Sequence, residues 1–362
     1  MTTSLRRAFV PVLFAATVAG CVTSKRPDDG GTLQAAATTT SVADPVPTNP
    51  PMEGASAGTE GGERRVRLAE RTSRLMDAGA EPRKALRHRY TKGREESLDV
   101  TIAIRTSTQT DALDDAGTDG GSPEPKVRAL PVVVARTFVE VTDVLPSGDA
   151  AFAMEIDAFD VRSDKDVAPE LVDAVRAGLA GAKGVRATGV ATPRGERKDV
   201  TLVVPPLTSR EAQQVLENFR QQIEQLGVVL PEEPVGKGAT WEVTNDVATR
   251  SIVLTQATTF TLASADDKAV RIVGTLRQSA PAQDVTSPVT GGSSNAKLES
   301  LTGSGKVEST TSPGSLAPLV STALRTNLVL AVPLQGRTVK SSITTSAKID
   351  TAAGGRTRSK TK

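Results

Sequence analysis

From Thr249 to Ile349 the chain is nearly all strand and turn, and no other feature restricts its fold as much. Ser251–Leu262, Ala269–Leu276, Lys297–Glu308, Asn327–Val332 and Val339–Ile349 are strand-like runs separated by clusters of Asp, Gly, Ser and Pro. Short connections of that kind join antiparallel neighbours, because a parallel pair needs a long crossover. The pattern recurs upstream. Leu98, Val100, Ile102 and Ile104 alternate with Asp99 and Thr101, which marks a half-buried strand. Val132–Val144 is apolar on both faces around Phe138, and Leu145-Pro-Ser-Gly-Asp149 supplies turn residues. The return strand places Phe152, Met154, Ile156 and Ala158 on one face, with Glu155 and Asp157 on the other. A short pair follows over Gly184–Thr192 and Asp199–Pro205.

The core has to be built without aromatics. They are 2% of residues, with one Trp, one Tyr and one His in the chain. Val, Ile, Leu and Ala must fill the interior, and β-branched side chains suit a pleated surface. Two amphipathic helices interrupt the strands. The first, near 168–180, lines Leu171, Val172, Val175 and Leu179 along one face, with Pro169 in its first turn and Gly181 after its end. The second, near 208–226, opens on the capping box Thr208-Ser-Arg-Glu211 and repeats Ala212, Val215, Leu216, Phe219, Ile223 and Leu226 at helical spacing. Arg64 to Leu75 has loosely spaced apolar residues that suit a short helix. Leu230-Pro-Glu-Glu-Pro-Val-Gly-Lys-Gly leads into a strand that points Trp241 and Val243 inward. The expected fold is α+β and predominantly antiparallel β: a large curved sheet or half-barrel over residues 64–350, with both helices packed on it.

The N-terminus has another logic. Arg6 and Arg7 precede an apolar run too short for a stable membrane anchor, and small residues lead to Cys21. Val18-Ala19-Gly20-Cys21 resembles the lipobox of bacterial lipoproteins. The resemblance implies a signal peptide over 1–20, cleavage before Cys21 and lipidation of its thiol. It also implies a cell-envelope protein held to the membrane by its acyl chains. Val22 rather than aspartate follows the cysteine, which in proteobacterial lipoproteins favours the outer membrane, with the protein facing the periplasm. Residues 21–63 are rich in Thr, Ser, Ala, Gly and Pro and read as a flexible linker. Such a coil reaches roughly 35 Å. Residues 351–362 read as a disordered basic tail.

Several function classes are excluded by what is missing. Cys21 is the sole cysteine, so disulfides and further thiol chemistry are absent. The chain carries 44 Lys and Arg against 42 Asp and Glu, and loss of Arg6 and Arg7 with the leader leaves 42 of each. A balanced charge argues against nucleic acid as a partner. Gly54-Ala-Ser-Ala-Gly58 matches a nucleophile-elbow pattern but lies in low-complexity sequence without the required strand and helix. Gly303-Ser-Gly-Lys306 lacks the first glycine of a P-loop and the hydroxyl residue after its lysine. Ser294-Asn-Ala-Lys297 lacks the motifs that accompany a catalytic S-x-x-K. The acidic loop Asp111–Ser122 does not have EF-hand spacing. Glu232 and Glu233 are adjacent, so on extended backbone they point to opposite faces. No catalytic, cofactor or metal residue emerges, and the chain reads as a non-enzyme.

Three stretches together resemble a family of bacterial lipoproteins known only by its unknown function: Leu86–Gly93 with Tyr-Thr-Lys-Gly, the hairpin Val141–Phe152, and Leu230–Trp241. The likeness spans roughly Leu86 to Ile349 and implies an exported β-rich domain without established site residues. Two roles remain open. One is a membrane-tethered binding module for a hydrophobic ligand, by analogy with half-barrel lipoprotein carriers. The other is a structural or assembly protein that contacts an envelope protein through a sheet edge or the Trp241 region.

Overall fold

A computed structural model describes residues 71–110, 124–163, 165–180, 182–203, 220, 223–224, 227–249, 252–286, 295–334 and 337–355. Cys21, the leader, the linker, Gly54–Gly58, the acidic loop from Asp111 to Ser122, Ser294 and the tail from residue 356 lie outside them.

Strands dominate. The N-terminal group is β1 (Thr72–Asp77), β2 (Glu95–Thr110), β3 (Lys126–Ala129), β4 (Val132–Val144) and β5 (Ala150–Arg162). Helix α1 (Pro169–Ala180) precedes β6 (Arg186–Ala191) and β7 (Arg197–Val203). The C-terminal group begins with β8 (Thr240–Thr249), β9 (Ile252–Ala265), β10 (Val270–Ala280) and β11 (Gln283–Thr286). It ends with β12 (Asn295–Thr311), β13 (Leu319–Leu334) and β14 (Arg337–Ala353).

All fourteen strands join one open sheet in the order β1-β8-β9-β10-β12-β13-β14-β2-β4-β5-β6-β7, with β11 beside β12 and β3 beside β2. The pairings are antiparallel. Two meanders, β2 to β7 and β8 to β14, are thus welded by β14 against β2, from Ser341 opposite Thr110 to Ala353 opposite Leu98. The last strand therefore runs three residues into the stretch expected as a tail.

Helix α1 forms where its apolar spacing predicts, with Pro169 first and Val172, Val175 and Leu179 buried. It packs on Val133, Val161 and Ala129. Among the described residues it is the one complete helix. Most of the expected second helix lies outside them, and only Arg220, Ile223 and Glu224 are described there, with helical backbone.

Two local expectations change. Leu75 lies in β1, opposite Trp241, rather than in a helix. A strand wins because Trp241 gives Leu75 a packing partner that an isolated, charged helix would lack. Ala158 does not continue the buried face of β5, because a bulge at Arg136/Thr137 inserts a residue and hands that face to Phe159 and Val161. A single extra residue flips every side chain beyond it.

Candidate functional site

Strand period two sorts the sheet into a buried face and a solvent face rich in Thr, Ser and charge. At one end of the buried face, Trp241, Val243, Phe260, Leu262 and Ile272 cluster with Leu86, Val229 and Leu230. At the other end, Val247, Leu254, Leu298, Leu301, Leu328, Leu330 and Ile343 form an aliphatic cluster. Between them runs a polar row in register across seven strands. Asn245 faces Gln256, which faces Gln278, then Gly303, Thr326, Thr345 and Thr106. Gln278 Nε2 donates to Gln256 Oε1 at 2.9 Å, and Thr326 Oγ1 donates to Gln278 Oε1 at 3.2 Å. A Cβ at Gly303 would lie 2.8 Å from Gln278 Oε1 and 3.0 Å from Gln278 Cβ, so a larger residue there would displace the Gln278 side chain. Thr106 is 8% exposed, and among the described residues its hydroxyl has no partner.

The Trp241 end is tied shut by loops. His88 N donates to Pro193 O at 2.7 Å, Leu230 N to Arg194 O at 2.9 Å, and Arg89 N to Pro313 O at 2.6 Å. Arg87 Nη1 donates to Pro231 O at 2.9 Å, and Arg194 Nε to Leu230 O at 2.8 Å. Trp241 Nε1 donates to Val229 O at 2.8 Å. The segments before β2, between β6 and β7, and before β8 therefore meet, although their strands lie far apart in the sheet order.

A basic cluster sits within this tied end. His88 stacks on Tyr90 with ring centroids 5.5 Å apart, and Tyr90 Oη donates to Thr192 O at 3.0 Å. Arg197 lies 5.7 Å above the centre of the Phe152 ring, and its Nη2 donates to Leu316 O at 2.8 Å. Arg71 Nη2 reaches Gly227 O at 3.4 Å. Arg71 Nε, Arg71 Nη1, Arg197 Nη1 and His88 Nδ1 are buried without partners among the described residues. Burial lowers the pKa of Arg197 to about 10. It lowers that of Arg71 to about 10 as well, where Glu196 pulls upward and Arg197 pulls down. Burial and then the Arg197 charge push His88 down to about 4, so its ring is neutral at neutral pH. Burial raises the Tyr90 hydroxyl above its usual range.

Two of the sequence-flagged motifs, Gly303–Lys306 and Glu232–Glu233, fall wholly on described residues. Gly303–Lys306 is extended backbone inside β12, as its surroundings suggested. Glu232 is exposed and bound by Arg194 Nη1 at 2.6 Å, so it serves the loop tie. Glu96 is the carboxylate with the most built surroundings: its Oε2 accepts from Ser315 Oγ, Leu316 N and Ala317 N, each at 2.9 Å. Among the described residues no group of His, Cys, Asp and Glu is placed to hold a metal. Sequence reasoning missed Arg71, Arg197, Tyr90 and the polar row. The i, i+2 spacing of His88 and Tyr90 on extended backbone was the available signal.

The arrangement defines a class only: an antiparallel β protein with one amphipathic helix described and a mixed aliphatic and polar inner face. A family sequence model described as "Family of unknown function (DUF6263)" matches residues 212–312. No match was found among curated proteins. Among solved structures the chain is similar to Ail, the attachment invasion locus protein of Yersinia pestis, at 7% identity. That match covers 72% of this chain and 100% of Ail, with a TM-score of 0.11, which carries no argument.

Proposed function

We propose that this is a lipoprotein anchored through Cys21 in the cell envelope, facing the periplasm from the outer membrane. Its folded part is a non-enzymatic module that binds an acyl-chain lipid on the inner face of a curled sheet. The carrying observation is the buried aliphatic cluster of Leu254, Leu298, Leu301, Leu328, Leu330 and Ile343, contributed by β9 and by the adjacent strands β12, β13 and β14. Helix α1 packs around Val133 and Val161 and does not reach that cluster. Twist accumulates in wide sheets until they curl, and the loop ties at the Trp241 end support a half-barrel here. Apolar burial stabilises a bound chain by about 0.8 kcal/mol per CH₂.

The test is native mass spectrometry with lipid extraction on Cys21→Ser protein prepared without detergent. A stoichiometric lipid supports the reading. A clean ligand-free mass, unchanged after incubation with envelope lipids, sinks it.

A second reading, contact with an envelope protein through a sheet edge, is favoured by the exposed apolar residues. Met76, Val127 and Val203 are 54%, 63% and 58% exposed, and each lies on a strand with one neighbour. A strand with one neighbour has backbone donors and acceptors that can pair with another chain. Trp241 is fully buried and would not touch a partner. Photo-crosslinking in cells from position 203 tests the edge, with Met76 and Val127 as parallel sites. A defined adduct that Val203→Lys abolishes at the β7 edge supports this reading, and no adduct from any of the three positions removes it.

A further inference from the structure

We infer that Arg71 and Arg197 form a binding site for an oxyanion, a carboxylate or a phosphate, at the tied end of the sheet. Neighbouring arginines show what a purely structural guanidinium does here. Arg87 and Arg194 spend their donors on Leu86, Pro231, Leu230 and Glu232 oxygens. Among the described residues Arg71 and Arg197 each make one backbone hydrogen bond, and three further nitrogens are shut away from solvent and unpaired. An unmatched buried donor costs free energy, and an unmatched buried charge costs more.

The surrounding charges do not cancel these two. Glu196 acts on Arg71 from a distance, while its own carboxylate pairs with Lys198 at 3.4 Å. Glu96, near Tyr90, is committed to Arg94 and the 315–317 turn. Asp149 acts on Tyr90. His88 and Tyr90 are neutral at neutral pH. Two cations with donors unpaired among the described residues therefore lie at this end, Arg197 over the Phe152 ring and beside the neutral His88 and Tyr90. A planar carboxylate or a phosphate oxygen pair suits such donors, since guanidinium recognition of both is bidentate. His88 Nδ1, also unpaired, can donate a further hydrogen bond when that nitrogen carries the ring proton. Phe152 and Met154 belong to the buried face beside Tyr90. A head group held here would leave its chain beside apolar surface. That last step rests on the lipid reading, whereas the oxyanion site does not.

The chain has a single histidine, so ring labelling of His88 gives one resonance beside the site. The full chain carrying Cys21→Ser is titrated at pH 7 with inorganic phosphate, with decanoate and with the neutral dodecanol. A saturable shift with phosphate and decanoate supports a site for free oxyanions. A shift with decanoate alone supports a site for the head of an amphiphile. In saturating phosphate the His88 midpoint should rise above about 4, because the anion offsets the Arg197 charge. Arg71→Gln and Arg197→Gln should each weaken the response at least tenfold, and Arg→Lys should restore it in part where the glutamine variant does not fold. No response to either anion overturns the site, as does an unchanged affinity in folded Arg197→Gln. Dodecanol binding without an anion response removes the oxyanion site and leaves the lipid reading standing. An anion response without dodecanol binding does the reverse.

Discussion

The two ends of the buried face share strands β8 and β9, yet they are held in different ways. At the Trp241 end, loops cross the strand ends and spend backbone and arginine hydrogen bonds on one another. At the Leu330 end the described core is aliphatic side chains on adjacent strands, with Ser341 as its one fully buried polar neighbour, bonded to Thr110 at 3.3 Å. Directional bonds fix one geometry, whereas aliphatic surface accepts many. On the lipid-binding proposal this contrast would be a division of labour: the first end would set the shape of the sheet and the second would receive a chain of variable length. Perturbing the hydrogen-bonded loops at the first end should therefore change stability, and perturbing the aliphatic packing at the second should change which chains are retained.

The largest effect is expected at Trp241. It is fully buried and bonded to Val229, so Trp241→Ala should destabilise by about 3–5 kcal/mol. Urea unfolding followed by circular dichroism measures this, since the intrinsic tryptophan signal is lost. Leu330→Ala at the other end should also create a cavity, at about 2–5 kcal/mol. Bound lipid would fill part of that space. The comparison breaks if added lipid restores Trp241→Ala as well as it restores Leu330→Ala.

Glu96 comes next. Glu96→Ala leaves Ser315, Leu316 and Ala317 without their shared acceptor and should cost about 2–3 kcal/mol. The loss should be insensitive to lipid, because this carboxylate serves the tied end alone. A thermal melt with and without lipid decides it.

The pH dependence has a definite sign. His88 has a folded pKa of about 4, below its ordinary 6.5. Below pH 6.5 the unfolded chain binds a proton that the folded chain refuses. The native state is therefore favoured above that pH and loses ground as pH falls to 4, by up to roughly 3 kcal/mol. His88→Phe keeps a ring against Tyr90 and removes the titration. Its stability should be flatter than wild type between pH 6.5 and 4 in urea midpoints, and equal slopes would exclude His88 as the cause.

Much of this architecture could be read from residue order. The bounds of β4 and α1, the inward Trp241 and the β12 context of Gly303–Lys306 all follow from periodicity and turn chemistry. What could not be read was long-range. Nothing local says that Ser341 meets Thr110, or that Leu75 finds Trp241, because pairing partners are chosen by the whole sheet. The polar row was invisible for the same reason. Asn245, Gln256, Gln278, Thr326, Thr345 and Thr106 each look like an ordinary interruption in their own strand, and only the register aligns them. Arg71 and Arg197 sit in charged stretches that resemble solvent faces until the loops close over them.

The smallest predicted effect tests the boundary between the two ends. The Thr106 hydroxyl is buried and unpartnered among the described residues, so its desolvation costs free energy. Thr106→Val keeps the shape and removes the hydroxyl, and should raise stability without ligand by about 1 kcal/mol, seen as a higher Tm. Gln278→Leu should do the opposite, since it strands Gln256 and Thr326. If the row hydrogen-bonds a polar group of the lipid, Thr106→Val should also weaken lipid retention in native mass spectrometry. The two readouts would then move in opposite directions, a result that filled-core packing does not produce. A gain in stability with unchanged retention would confine the ligand to the aliphatic end and make the row a boundary that the chain does not cross.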